Sequence, residues 1–158
     1  MADLRELFES FGYANVVTYI QSGNVVFDTD LDEESIVGQV AEAFEDRFGF
    51  DTSLILRTAE EMEEIATVHP LETSDIDPRF LLVAFLDREP SVVFDDAIDP
   101  SAYEPDRLLL KGREVYLRYP NGSARSKLTY SLIEKRLRVR STTRNWKSVQ
   151  QVAALAAR

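Results

Sequence analysis

An α+β fold built as two similar halves is predicted by three features of the sequence. The first is helical periodicity at Leu4, Leu7 and Phe8, followed within a few residues by strand-length runs of β-branched side chains. The second is a similar succession that starts near residue 80. The third is that each half has two adjacent strands flanked by helices, so that one strand in front would complete a βαββαβ plan. The first half shows no strand before its opening helix.

The first half has clear helix ends. Gly12 and Gly49 are natural C-caps, Asp32 is an N-cap, and Thr58 with Glu61 forms a capping box. The predicted elements are a helix over 4–11, strands at 16–20 and 25–27, a helix between the caps at 32 and 49, a strand at 54–56 and a short helix after residue 58.

The second half opens with an apolar run over 80–86, which predicts a strand buried on both faces. A weak helix near 92–97 follows, then a hairpin of 108–110 and 114–119 around Gly112, and helices at about 126–137 and 145–157. Residues 114–119 alternate, which predicts that Tyr116 and Arg118 lie on a solvated face. The resulting domain prediction is a first subdomain over 1–70, a linker over 71–79 and a second subdomain over 80–158.

Positive charge is concentrated in the last third of the chain. The net charge is −10, but residues 1–108 hold 6 Lys/Arg against 26 Asp/Glu, whereas residues 109–158 hold 12 Lys/Arg against 2 Asp/Glu. Such segregation indicates an anionic partner. It is equally explained if the acidic part docks on the basic part within one fold, so both interpretations stay open.

Cysteine is absent, which excludes disulfide bonds, thiolate metal sites and a cysteine nucleophile. No apolar run approaches the roughly 18 residues needed to cross a bilayer. The first residues have neither the basic start nor the apolar stretch of a secretion signal. The expectation is a cytoplasmic protein without membrane contact, metal or cofactor, and the oligomeric state stays open.

Three phrases of the sequence resemble one family. They are the runs at 18–27, at 119–129 and at 143–146. In order, and over essentially the whole chain, they resemble the bacterial and archaeal proteins of the domain of unknown function 1697 family. The resemblance implies two ferredoxin-like (βαββα-type) subdomains, the first without its opening strand and the loop after it. It also suggests that Met1 coincides with an internal position of the family. It implies no activity.

Two predicted helix starts carry the basic residues of greatest interest: Arg125 with Lys127, and Arg144, Asn145 and Lys147. Cations at a helix N-terminus oppose the macrodipole by about 0.3–1 kcal/mol each. A bound phosphate or carboxylate would relieve that repulsion, and the free N–H groups suit it. The alternative is that these side chains pair with the acidic half. The spacing is not that of a P-loop, which needs Gly-Lys-Ser/Thr.

The bend at Gln21, Ser22, Gly23 and Asn24 is the second candidate ligand site. Gly23 permits a left-handed backbone, and the polar side chains of Gln21, Ser22 and Asn24 could contact a ligand at the mouth of the sheet. The alternative is a turn whose side chains satisfy their own backbone. His69 is the single histidine and is predicted to be a helix-end residue rather than a catalytic one.

Three functions remain open from the sequence. The first is a non-catalytic module that binds an anionic, phosphate-bearing ligand such as nucleic acid, with aromatic residues of the basic third, Tyr116 among them, available for stacking. The second is an enzyme acting on a small anionic or phosphorylated molecule, in a pocket shared by Gln21, Asn24 and the basic helix starts. The third is a protein-interaction or structural module that uses the acidic half. The scarcity of catalytic side chains favours the first.

Overall fold

A computed structural model describes residues 2–21 and 23–158 of the protein. It is a mixed α+β structure, which confirms the predicted fold class. The helices are α1 (Ala2–Ser10), α2 (Glu33–Phe48), α3 (Ala59–Thr67), α4 (Phe94–Ala97), α5 (Tyr130–Leu137) and α6 (Trp146–Ala156). The strands are β1 (Ala14–Tyr19), β2 (Asn24–Asp28), β3 (Leu81–Leu86), β4 (Arg107–Lys111), β5 (Glu114–Arg118) and β6 (Ser141–Asn145).

The chain divides into two compact units. Unit 1 comprises Met1–Glu63 with Gln151–Arg158, and unit 2 comprises Glu64–Gln150. The subdomain boundaries expected from the sequence, 1–70 and 80–158, stay a prediction, as does the ferredoxin-like description of both halves. Charge differs between the units, because unit 1 holds 15 Asp/Glu against 4 Lys/Arg while unit 2 holds 13 against 14.

Unit 1 is built on an antiparallel hairpin of β1 and β2, in which Val17 pairs with Val26. Its core joins the hairpin to α1 and α2, and aromatic rings fill much of it. Tyr13 stacks on Phe27 with ring centroids 4.8 Å apart, and Phe8 lies 5.1 Å from the same ring. These rings are large apolar surfaces, and such offset or tilted pairs add stability beyond the area they bury.

The predicted helix ends of unit 1 are confirmed. Asp32 accepts a hydrogen bond from the Ser35 N–H at 2.8 Å, and Gly49 adopts the left-handed conformation with φ 75°. The capping box also forms: the Thr58 N–H donates to the Glu61 carboxylate at 2.7 Å, and the Glu61 N–H donates to the Thr58 hydroxyl at 3.1 Å. Each cap is a contact between residues three or four apart, so the sequence alone could predict it.

The strand expected at 54–56 is wrong. Residues 51–58 have no regular secondary structure, although Leu54 and Leu56 pack against the unit 1 core. A strand requires a ladder partner, and the sheet described in this unit contains β1 and β2 alone. The apolar side chains at these positions therefore contribute to packing rather than to strand pairing.

Unit 2 contains an antiparallel four-stranded sheet in the order β4-β5-β3-β6. The apolar β3 lies inside it and is buried along nearly its whole length, as its composition predicts. The hairpin around Gly112 is also confirmed, with Lys111 opposite Glu114. One face of the sheet packs on α5 through Val115, Leu117 and other buried aliphatic side chains.

Two expectations for the sheet of unit 2 are wrong. Arg144 and Asn145, expected at the start of the last helix, end a strand, β6 (Ser141–Asn145), that was not predicted, and α6 begins at Trp146. The composition of β6 is polar, and its strand structure comes from pairing with β3, where Ala84 lies opposite Thr143. Tyr116, expected on a solvated face, is only 3% exposed. The segment that follows α3 covers it, as described below.

Candidate functional site

The basic residues singled out from the sequence lie at one end of the strands of the four-stranded sheet. This end is named here the basic edge. Arg118, at the end of β5, lies opposite Leu81 at the start of β3. Asn145, at the end of β6, lies opposite the next residue, Leu82. The loop that follows β5 and the helix that follows β6 therefore leave the sheet at the same edge. That edge carries Arg125, Lys127, Arg144, Asn145 and Lys147.

The loop from 120 to 129, named here the basic loop, is held in place by hydrogen bonds at both its ends. The Tyr119 hydroxyl donates to the Leu128 carbonyl at 2.7 Å, and Tyr119 is fully buried. The Ser126 hydroxyl donates to the buried Asp106 carboxylate at 2.5 Å and accepts from the Leu128 N–H at 3.0 Å. Hydrogen bonds that are buried or half-buried favour one conformation, because breaking them leaves shielded polar groups without partners.

Tyr119 is shielded from water at the base of this loop. Burial is the main cause that raises the pKa of its phenol, and the nearby Tyr130 and Asp106 raise the pKa further. The phenol is therefore neutral at any physiological pH and acts as a hydrogen-bond donor to the loop. It is a structural group of the site and is not available as a base.

Arg125 and Lys127 flank the anchored Ser126 and are exposed. They precede α5, which begins at Tyr130 with Thr129 as its N-cap, so the expectation that they start a helix is wrong. The cause is the Ser126 hydroxyl, which takes the Leu128 N–H and closes a turn instead of a helix. In the described part of unit 2, neither cation forms an ion pair.

Lys147 lies in the first turn of α6, and Arg144 lies on β6, two residues before that helix begins. Lys147 is exposed and, within the described residues of its unit, has no carboxylate at ion-pair distance. Arg144 is half-buried on β6, opposite Val83, and donates to the Thr142 hydroxyl at 2.5 Å and the Thr143 carbonyl at 2.9 Å. Burial lowers the pKa of Arg144, but an arginine remains charged in water at neutral pH.

Asn145 has a structural role that the sequence did not indicate. Its side-chain oxygen accepts a hydrogen bond from the Ser148 N–H at 2.9 Å and so caps α6. The side-chain oxygen of Asn145 is therefore already engaged within the unit. Its part in ligand binding stays a prediction.

The second group of candidates lies in unit 1, at the turn between β1 and β2. Asn24 donates from its side-chain amide to the Tyr19 carbonyl at 3.0 Å, which closes the turn on itself. Gln21 is exposed, and Ser22 lies outside the described residues. Since these residues and the basic edge belong to different units, a pocket that unites them stays a prediction.

The aromatic residues of the basic third are mostly buried. Tyr116, Tyr119 and Trp146 are each less than one tenth exposed, so the stacking surface expected around Tyr116 is absent from the described sheet. Tyr130, at the start of α5, is the exception and is 36% exposed.

The sequence predicted only that His69 lies near a helix end. It did not predict that His69 is a structural centre of unit 2. It is 6% exposed, and its ring meets those of Tyr116 and Trp146 edge-on at 5.3 Å and 5.1 Å. The Leu71 N–H donates to Nδ1 at 3.3 Å, so the proton is on Nε2 and is donated to the Leu82 carbonyl at 3.2 Å. Both ring nitrogens are used, which is the state of a neutral imidazole.

We expect the stability of unit 2 to fall as the pH drops below 6.5. Burial is the main cause that lowers the pKa of His69 below its usual value of 6.5. Below that pH the unfolded chain binds a proton that the folded unit does not. The stability contributed by the neutral imidazole is therefore complete above pH 6.5 and is lost as the pH falls through the lowered pKa of the folded unit. Urea unfolding followed through the single tryptophan, Trp146, measures this slope. His69→Gln should remove it between about pH 7 and 5, and an unchanged slope in that variant would contradict the assignment.

Two further features of the described residues bear on the site. Residues 2–21 and 23–158 contain no group of three or more carboxylate, histidine or cysteine side chains placed to hold a metal ion. In the same residues, none of the helices combines the length and the apolar character needed to cross a membrane.

Comparison with known proteins gives a family and a fold. The model of a family described as "Protein of unknown function (DUF1697)" matches residues 1–116, a span that ends before the basic loop. The solved structure of the conserved bacterial protein SP0830 from Streptococcus pneumoniae is similar, with a TM-score of 0.64 and 18% identity over 99% of this chain and 88% of that one. At that identity the likeness shows the fold alone. No curated protein matches the chain.

Proposed function

Because the chain belongs to the DUF1697 family of proteins of unknown function, which assigns it no activity, we propose a function from its own geometry. The protein is a non-catalytic module that binds an anionic, phosphate-bearing ligand at the basic edge of the four-stranded sheet. The observation that carries this proposal is the basic loop. Half-buried hydrogen bonds of Ser126 fix its backbone, and it presents Arg125 and Lys127 to solvent without an ion pair in the described part of unit 2.

Preorganisation makes this loop suitable for binding. A ligand that meets a flexible loop must order it, and that entropy cost reduces affinity. Here the Ser126–Asp106 and Tyr119–Leu128 hydrogen bonds have already ordered the backbone between the two cations. Arginine and lysine donate charge-assisted hydrogen bonds to phosphate, which are about twice as strong as neutral ones.

Lys147 and Arg144 extend the positive surface at the same edge, through the end of β6 and the first turn of α6. The acidic excess of the protein belongs mainly to unit 1, while unit 2 has 14 Lys/Arg against 13 Asp/Glu. Local charge therefore supports an anionic ligand even though the whole chain is acidic. The proposal includes a cytoplasmic location, where phosphate-bearing molecules are abundant.

The proposal is tested by titrating the protein with inorganic triphosphate in a calorimeter, at low and at high sodium chloride. Binding is expected at low salt, with an affinity that falls as salt rises, because the contacts are electrostatic. Arg125→Gln with Lys127→Gln should weaken binding about tenfold or more, since two charge-assisted contacts are lost.

The matched control is Lys111→Gln with Arg113→Gln, which removes two cations from the hairpin around Gly112 in the same unit, at the other end of the strands. That variant should bind triphosphate within about twofold of the parent protein. Absence of binding at low salt, or equal losses in the two variants, would overturn the proposal.

A further inference from the structure

The positive surface of the basic loop continues along α5. Lys135 and Arg138 are exposed, as are Arg125 and Lys127. On α5, Ser131, Lys135 and the C-cap Arg138 follow the i, i+4, i+7 spacing of one helix face, opposite the buried Ile133 and Leu137. Arg125 and Lys127 precede α5, Lys135 lies within it and Arg138 caps its end. These four exposed cations, named here the basic track, are therefore present at both ends of the helix.

Acidic side chains are scarce within the segment of chain that carries this track. Between residues 119 and 140 the sequence has a single acidic side chain, Glu134. Its carboxylate is turned towards the start of β6, where it accepts from the Ser141 N–H at 2.8 Å and from the Ser141 hydroxyl at 3.1 Å. Glu134 is thus engaged inside the unit and does not neutralise Lys135 beside it.

Arg138 adopts a backbone conformation that is common at the end of a helix but unusual for arginine. It ends α5 in the left-handed region with φ 56°, where glycine is the usual residue. Cations near the C-terminus of a helix stabilise its dipole, which accounts for Lys135. The helix dipole does not explain Arg125 and Lys127. They precede the N-terminus of the helix, where the dipole disfavours cations.

We propose that the basic track binds single-stranded nucleic acid across α5, an inference that rests on the proposed function and names its ligand class. Eight helical residues span about 12 Å, so one phosphate group at the basic loop cannot also contact Arg138. A chain of phosphates can. Tyr130, exposed beside the basic loop, supplies an aromatic ring on which a base stacks, and this favours nucleic acid over a chain of phosphates alone.

Fluorescence anisotropy with labelled oligouridine tests the inference. The affinity should rise between an oligomer of about 3 nucleotides and one of about 12, a length typical of single-strand sites. Four phosphate contacts predict a slope of log affinity against log salt of about −3 for the longer oligomer. Lys135→Gln with Arg138→Gln should reduce that slope to about half and remove the gain with length.

Control measurements separate this inference from the proposed function. The Lys135→Gln, Arg138→Gln variant should keep its triphosphate affinity, and Trp146 fluorescence checks that it folds. If triphosphate binds but affinity does not rise with oligomer length, the inference fails and the proposed function stands. If neither ligand binds at low salt, both fail. Tyr130→Ala should weaken oligouridine binding and leave inorganic polyphosphate binding unchanged, and equal effects on the two would overturn nucleic acid as the ligand class.

Discussion

Replacing His69 with alanine is expected to lower the free energy of unfolding of unit 2 by about 3–4 kcal/mol. The imidazole fills the space between the rings of Tyr116 and Trp146 and uses both nitrogens, towards Leu71 and Leu82. Alanine leaves a cavity and removes a partner from two backbone groups. Urea unfolding at neutral pH, followed by Trp146 fluorescence, measures the loss.

Val68→Ala is the matched control for this variant. Val68 directly precedes His69 but is 67% exposed, so truncating it should change stability by no more than about 0.5 kcal/mol. His69→Gln should fall between the two, because an amide fills part of the space and retains hydrogen-bonding groups. A loss below about 1 kcal/mol for His69→Ala would show that the ring is not the structural centre inferred above.

Leu128→Ala is expected to destabilise unit 2 by about 3 kcal/mol and to weaken triphosphate binding as well. Leu128 is 1% exposed and packs in the core of unit 2, while its backbone joins both Tyr119 and Ser126. Removing the side chain loosens the segment that fixes Arg125 and Lys127. Denaturant unfolding and calorimetric titration of the same preparation measure the two effects together.

Leu109→Ala separates core packing from general loss of apolar surface. Leu109 lies on β4 and is 37% exposed, so its truncation should cost less than about 1 kcal/mol and leave binding unchanged. If Leu128→Ala destabilises the unit but keeps full affinity for triphosphate, the basic loop does not need its fixed conformation to bind. That result would show that preorganisation of the basic loop does not contribute to triphosphate binding.

The candidate site shows where sequence reasoning succeeded and where it failed. The charge pattern pointed to Arg125, Lys127 and Lys147, and the structure places them at one edge of a sheet because β5 and β6 both end beside the start of β3. The helix starts assigned to the first two cations were wrong. The Ser126 hydroxyl closes a turn by accepting from the Leu128 N–H, and it also donates to Asp106, 20 residues away. The second contact is the one that no local pattern reveals.

Features that depend on neighbours within about four residues could be predicted from the residue types alone. The caps at Asp32 and Gly49, the box of Thr58 with Glu61 and the turn at Gly112 belong to this class, as does the α+β composition. Backbone groups at these points find partners nearby, so the residue types alone specify the geometry.

Strand pairing and side-chain burial, by contrast, depend on contacts that form only when the chain is folded. The polar run at Ser141–Asn145 is a strand because β3, more than 50 residues earlier, supplies its hydrogen bonds, whereas the apolar run at 54–56 is not a strand because no ladder partner is described for it. Tyr116 is buried because His69 lies against it. Pairing and burial depend on contacts distant in sequence, and a local pattern carries no information on which distant segment will arrive.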